Sequence, residues 1–296
     1  MKRNHLTQKR KLDKERLTAI AMLWPSLLGV LLFFVLPFGV ICYYSLIGSV
    51  TGREFVGLQN FIRLFHNTAF LTASRNTLIF SALAVPLAVA LALALALLLE
   101  AKIPLKSQLR SFFLSPMMVP VASVVLVWQV LFNYHGVFNN WLGLFGAVPV
   151  DWFASPAGRL VVVVLFLWKN LGYNMILFMA ALANIPRELL EVASLDTNNQ
   201  WYIFSHIKLR WLSPTILFVT ILSLINSFKV FREVYLLTGD YPHESLYLLQ
   251  HFMNNTFRNL DYQKLAAAAV VMAIGMVIII AVLFLIEAHY GKDVEG

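Results

Sequence analysis

The chain has 296 residues, of which 59% are hydrophobic and only 13% charged, a balance that no soluble domain of this length needs in order to bury one core. Its formal net charge of +8 is distributed with membrane topology rather than gathered into a nucleic-acid patch, so nucleic acid is excluded as a partner and the lipid bilayer is the expected solvent. The lone cysteine, Cys42, rules out a disulfide framework and a multi-cysteine metal site.

Taken in chain order, Lys2, Arg3, Lys9, Arg10, Lys11, Lys14 and Arg16 form a basic tail over residues 1–16. The apolar run Ala19–Tyr43 that follows is long enough to cross ~30 Å of hydrocarbon and reads as a retained anchor rather than a cleaved signal. Phe55–Ser74 places Leu58, Phe61, Ile62, Phe65 and Phe70 close to one helical face, the pattern of a helix lying on the membrane surface, with a packed loop as the alternative. The second span, Asn76–Leu99, ends in ALALALALLLE. Its alternation suggests a strand, but an open strand would leave unpaired amides in hydrocarbon, so a helix is expected.

Lys102, Lys106 and Arg110 fill the next short loop, and Ser111–Phe132 is the third span. The fourth, Leu160–Ala183, contains Lys169. The fifth, Pro214–Leu237, ends with Lys229, Arg232 and Glu233, and the sixth is Leu265–Ile286. Pro37, Pro86, Pro116 and Pro120 lie inside spans and invite kinks. The expectation is an all-α membrane protein of six transmembrane helices in a single domain over residues 1–296.

The positive-inside rule puts the basic tail, the 102–110 loop, Arg187–Arg210 and the tail from Glu287 in the cytoplasm, so both termini are cytoplasmic. The outward loops, about 45–75, 133–158 and 238–263, hold Arg53, Arg63, Arg75, Arg258 and Lys264, with Arg159 at a boundary. LTGDYP at Leu237–Pro242 is a Gly/Pro turn. No inverted duplication of three-helix halves is visible, which lowers the odds of several secondary-transporter folds.

The connection between the fourth and fifth spans, IPRELLEVASLDTNNQWYIFSHIKLRWLSP, is far longer than neighbouring helices require. Pro186–Asp196 is expected to be a short helix, with Glu188 and Glu191 toward the positive end of its dipole. Thr197-Asn198-Asn199 follow as a turn in which an asparagine takes the left-handed conformation. A second amphipathic helix covers about Gln200–Leu209, and its Trp201, Tyr202 and Phe204 call for a partner to cover them.

Those residues resemble the inner-membrane permeases of binding-protein-dependent ATP-binding-cassette (ABC) importers, in the carbohydrate branch that includes the maltose and glycerol-phosphate types. The family's loop pattern is Glu-Ala-Ala, three residues, Gly, nine residues, Ile, one residue, Leu-Pro. Here stand Glu191-Val192-Ala193, Thr197 in the Gly position, Ile207, Leu209, and Arg210 where Pro is usual. The Gly, the Pro and the middle Ala are departures, so the turn is expected to rest on Asn198 or Asn199. FVGLQNF at Phe55–Phe61, Asn76-Thr77, Ile185-Pro186 and LTGDYP extend the resemblance over nearly the whole chain.

The resemblance implies a type I ABC importer permease core in a bacterial or archaeal cell (inner) membrane. It also implies a cytoplasmic coupling loop at 185–210 that docks on an ATPase. The residues implied in that role are Glu191, Val192, Ala193, Asp196, Thr197, Asn198, Trp201, Ile207 and Leu209, with Glu191 pairing a basic residue of the ATPase. The implied partners are a second permease in a heterodimer, two ATPase subunits and an extracellular or periplasmic solute-binding protein. No cofactor is expected.

A charged group within a span costs about 3 kcal/mol on insertion scales and generally faces a cavity or a partner. Lys169 therefore marks a candidate substrate pathway, with Trp168, Asn170, Gly172, Tyr173 and Asn174 near it. The fifth helix contributes Ser223, Asn226, Ser227 and Lys229, besides Arg232 and Glu233. Amides, hydroxyls and aromatic rings are what a sugar site uses. Read structurally instead, Lys169 pairs with Glu233 or with the partner permease, and the asparagines join helices.

His135, His243, His251 and His289 have no ligand spacing, and no GxxxxGK[ST] loop is present, so ATP hydrolysis belongs to another polypeptide. An ion-gradient-driven secondary carrier or channel is the competing reading, and an intramembrane enzyme would need a catalytic constellation that the sequence lacks.

Overall fold

The computed structural model describes residues 20–49, 52, 54–100, 104–197 and 199–290. The basic residues of positions 2–16, Arg53, Lys102 and Asn198 lie outside them. Among the described residues the chain is helical apart from loops and one isolated antiparallel bridge, Ile47 to Phe55. The helices are α1 (Ile20–Ser45), α2 (Gln59–Phe65), α3 (Thr68–Glu100), α4 (Lys106–Met118), α5 (Val121–Leu131), α6 (Val137–Leu144), α7 (Gly158–Ala183), α8 (Arg187–Asp196) and α9 (Gln200–Ile203). A π turn at Phe204–Lys208 leads to α10 (Leu209–Trp211), α11 (Ser213–Lys229), α12 (Phe231–Thr238), α13 (Leu249–Arg258) and α14 (Tyr262–Tyr290).

Five of the six expected spans are helices long and apolar enough to cross a membrane: α1, α3, α7, the α11–α12 pair Ser213–Thr238, and α14. The third differs. Over Ser111–Phe132 the kink expected at the prolines is a full break: α4 and α5 are bent by 101° and are long and apolar enough to cross only as a pair. Pro120 pushes Val119 out of the helical region, to φ −80 and ψ 129. Pro116 further removes one backbone donor from the turn before the break. In α1 the response to proline is milder: a π turn at Leu31–Val35 lies just ahead of Pro37. The wider turn makes room for the ring, which would otherwise collide with the carbonyl four residues earlier.

Backbone proximity divides the chain into two compact units. One comprises the described part of Met1–Leu64 with Asn259–Ala273, and the other Phe65–Arg258 with Ile274–Gly296. In the first, the FVGL part of the FVGLQNF segment is a bridge and turn, and helix begins only at Gln59 instead of running over Phe55–Ser74. Gly57 adopts φ +58, and Asn60 Nδ2 donates to the carbonyls of Ser45 (3.0 Å) and Ile47 (2.9 Å). The helical part there is only α2, with Leu58, Ile62 and Phe65 exposed, while Phe70 already belongs to α3 and is buried.

In the second unit the alternation of Ala and Leu resolves as helix. Ala84, Ala88, Ala92 and Ala96 recur every four residues and are completely buried, so one face of α3 is a smooth stripe. Lipid offers no hydrophobic drive for helix association, and small residues of this kind let backbones approach closely enough for dispersion to hold them. Against the stripe lie Val162, Val163, Phe166, Met175, Phe178 and Leu182 of α7. Gly172, also on α7, meets α4 so closely that a Cβ there would sit 1.9 Å from the Phe113 carbonyl oxygen.

The two long loops of this unit are fastened by asparagines. Asn139 Nδ2 donates to the Tyr134 (2.9 Å) and Val150 (2.8 Å) carbonyls, and its Oδ1 accepts from Val150 N–H and Trp152 Nε1. Asn76 Nδ2 donates to the Glu244 (2.6 Å) and Tyr247 (3.1 Å) carbonyls, while Arg159 donates to Asn76 Oδ1. Thr77 Oγ1 accepts from the Leu249 N–H at 2.8 Å. The Asn76-Thr77 pair at the mouth of the second span is thus a clamp on the 239–249 loop.

Candidate functional site

Two regions of the second unit gather the residues singled out in the sequence. The first is a cavity of about 350 Å³ between α4, α7 and the α11–α12 pair. The α4–α5 pair is bent by 101° there, and helices that diverge leave space between them. Its polar lining is Lys169, Asn170 and Tyr173 from α7, facing Asn226, Lys229, Arg232 and Glu233. Met117, Leu165, Phe166, Leu222 and Val230 supply the apolar wall.

Lys169 forms an ion pair with Glu233. Glu233 is only 4% exposed, and its Oε2 finds no hydrogen-bond partner among the described residues. A second link crosses the cavity: Asn226 Nδ2 donates to Asn170 Oδ1 at 2.9 Å, and Asn170 Nδ2 donates to the Phe166 carbonyl at 2.8 Å. An ion pair and an amide bridge therefore tie α7 to the fifth span, and they do so along the cavity wall.

The other expected pathway residues lie elsewhere. Asn174 Nδ2 donates to Ser223 Oγ at 2.9 Å, and Ser227 Oγ lies 2.8 Å from Ser81 Oγ; all four are buried. These pairs join helices, as does Gly172 against α4. Trp168 is exposed and stands edge-on to Trp128. The apolar lining had a signal in the sequence, since Leu165 and Phe166 sit one turn before Lys169, and Leu222 one turn before Asn226. Met117 had none, because it reaches the cavity through the α4–α5 break.

The second region is the 187–211 segment. Pro186 stands immediately before α8 with φ −56 and ψ 130, and Glu188 lies in the first turn. The turn after α8 is made without a left-handed residue at either described position. Thr197 is extended, at φ −153 and ψ 139. Asn199, at φ −79 and ψ 102, caps the next helix by accepting from the Trp201 and Tyr202 N–H groups. Of the two asparagines on which the turn was expected to rest, Asn199 takes part as an N-cap rather than as a left-handed residue, and Asn198 lies outside the described residues. From Gln200 the chain stays helical through the π turn into α10, and Lys208 pairs with Glu100 at the end of α3 at 2.8 Å.

The outer surface of this segment is apolar. Leu195 is 86% and Trp201 72% exposed, and Val192, Leu189, Tyr202 and Leu209 are also exposed, as are Glu191 and Asp196. Ala193 and Ile203 face inward, Ile207 is half-buried, and Ala193 is thus the inward member of the Glu191-Val192-Ala193 triplet.

Beyond the spans, His251 on α13 is 1% exposed. Its Nδ1 accepts from the Leu248 N–H, and its ring stands edge-on to Phe231. Burial pushes its pKa down to about 4. The Arg258 guanidinium, hydrogen-bonded to Asp240, holds that carboxyl below its usual range.

Membrane-crossing helices around a polar cavity, with a long helical excursion between the fourth and fifth spans, define a multi-pass transport protein. Over residues 84–296 the chain matches the family described as binding-protein-dependent transport system inner membrane component. The chain belongs to that family and is a permease subunit of an ABC importer.

It is 30% identical to the trehalose/maltose transport system permease protein MalF of Thermococcus litoralis, over 98% of this chain and 99% of that one. It is likewise 30% identical to the lactose transport system permease protein LacF of Rhizobium radiobacter, over 82% and 84%. A third relative is the sn-glycerol-3-phosphate transport system permease protein UgpA of Salmonella typhimurium, at 30% over 94% and 97%. Among solved structures, a chain of a bacterial alginate ABC transporter, in complex with an alginate pentasaccharide-bound periplasmic protein, superposes with a TM-score of 0.80. That match covers 95% of this chain and 98% of that one at 21% identity, a likeness of fold.

Proposed function

We propose that this permease carries a carbohydrate, delivered by an external solute-binding protein, through the α7/α11–α12 cavity. The driving force comes from two separate ATPase subunits that dock on the 187–211 segment, and a second permease completes the pathway. In this reading both termini and the 187–211 segment are cytoplasmic, and the whole of residues 1–296 works as one permease domain. The carbohydrate assignment is supported by what the relatives are named for: trehalose and maltose, lactose, and glycerol phosphate.

The observation that carries the reading is the exposed apolar face of α8 and α9. Leu195, Val192 and Trp201 stand in the open on a segment that is helical and pinned to α3 through Lys208 and Glu100. A surface of that kind asks for a partner. A rigid, docked helix pair is also what ATPase closure would need in order to move membrane helices. Glu191 and Asp196 flank the apolar residues as groups to pair with ATPase cations, while the extended Thr197 and the N-cap Asn199 lie between α8 and α9.

Proteoliposomes holding the complete complex test the proposal. Uptake of a labelled saccharide should require ATP and the ATPase subunits. Uptake by the permease alone, following a proton or sodium gradient, would refute it and favour a secondary carrier.

A further inference from the structure

We infer that the substrate is an anionic carbohydrate, one bearing a carboxylate or phosphate, and that Lys229 and Arg232 are the residues that select it. The inference rests on the carbohydrate reading above and narrows it. The cavity is lined by three cations, Lys169, Lys229 and Arg232, against a single carboxylate, Glu233, so two positive charges are in excess.

The ion pair decides which cations remain available. Lys169 is the intramembrane charge most conspicuous in the sequence, yet Glu233 neutralises it. Lys229 and Arg232 are different. Both are exposed at the cavity, and no ion pair or side-chain hydrogen bond engages either one among the described residues. They stand three positions apart on either side of Val230, where α11 gives way to α12, and both line the same cavity.

The rest of the wall suits a sugar. Asn170 and Tyr173 lie across from the two cations and Asn226 one turn before Lys229, and they offer amide and ring surfaces to hydroxyls and to the C–H face of a pyranose. The volume, about 350 Å³, falls within the range of small-molecule sites. Unneutralised cations at membrane depth are costly until an anion reaches them, and a guanidinium beside an ammonium matches the geometry of carboxylate or phosphate oxygens. A neutral sugar would leave both charges unmet.

The test uses the complete complex in proteoliposomes with four labelled probes: maltose, lactose, digalacturonate and glucose 6-phosphate. The expected result is uptake of digalacturonate or glucose 6-phosphate, which separates the carboxylate from the phosphate source, with a KM at least about tenfold below that of either neutral disaccharide. Lys229→Gln and Arg232→Gln should each raise that KM about ten- to a hundredfold, Arg232→Lys should recover part of it, and gel filtration should show assembled complex throughout.

If maltose or lactose is carried and the anions are refused, the carbohydrate reading stands and this inference falls. If an anion is carried but the Gln variants leave its KM unchanged, the two cations serve the partner permease, and the inference falls as well. Should none of the four enter, the carbohydrate reading fails and takes the inference with it. The wild-type panel decides the matter even if a variant does not assemble.

Discussion

Replacing Gly172 by alanine is the sharpest test of how the helices around the cavity are held. An added Cβ would lie 1.9 Å from the Phe113 carbonyl oxygen, 2.5 Å from its carbon and 3.0 Å from the Leu114 nitrogen. All three atoms are backbone, so no rotamer change relieves the contact. To reach even 3.0 Å, α4 and α7 must separate by about 1.1 Å at this level, and that shift breaks the packing of Phe113 against the Met175–Phe178 cluster.

Overpacking of this kind costs typically ~1–3 kcal/mol, and a backbone obstacle argues for the upper end. At roughly 2–4 °C per kcal/mol, the midpoint of thermal unfolding in detergent should fall by about 5–10 °C. Gly39 and Gly275 are the controls. Each lies in a helix with nothing within 4 Å of the position a Cβ would take, so alanine there should be neutral or stabilise by up to ~1 kcal/mol. If Gly172→Ala unfolds with the wild type, the close approach of α4 and α7 is wrong.

Other perturbations address the loops and the exposed 187–211 segment. Asn139→Ala strips the 133–153 loop of its central donor and acceptor, at a cost of about 2–3 kcal/mol, and should show as faster proteolysis within that loop. His251 has a folded pKa depressed from 6.5 to about 4. The unfolded chain therefore takes up this proton first, and stability that is complete above pH 6.5 should decline as pH falls toward 4, by at most about 3 kcal/mol. His251→Asn should flatten that part of the pH profile, and an unchanged slope would contradict the assignment. Trp201→Ala and Glu191→Ala should each lower coupled transport while leaving the amount of permease in the membrane unchanged, as read by immunoblot against uptake.

Much of the fold was legible because a bilayer enforces it: apolar runs of sufficient length had to be helices, and five of the six are continuous spans. Local backbone chemistry decided the details. Pro116 and Pro120 announced a kink in the third span, and its size, 101°, follows from the restriction that Pro120 places on Val119. After α8, Asn199 serves as an N-cap rather than as a left-handed residue, a role its side chain allows equally well.

At the cavity, residue type predicted the neighbourhood but not the direction of each side chain. Helical spacing alone does not tell that Asn170 and Asn226 bridge across the cavity while Asn174 and Ser223 lock helices together a turn away. That distinction depends on which face of α7 meets α3, and the alanine stripe Ala84–Ala96 sets that face. The pairing of Lys169 with Glu233 was one of two structural options in the sequence. Its consequence, that Lys229 and Arg232 are the cations left facing the cavity, emerged only from the geometry.

The central claim is that the 187–211 segment sits in the motor that drives transport. Cys42 is replaced by serine to leave a single reporter, Ser194→Cys, on the exposed side of α8, and the assembled importer is treated with a short thiol-to-amine crosslinker. The account predicts a covalent adduct with an ATPase subunit, formed in the complete complex and lost when Trp201 is changed to a charged residue. Adducts only to the permeases or lipid, in a complex that still transports on ATP, would contradict it.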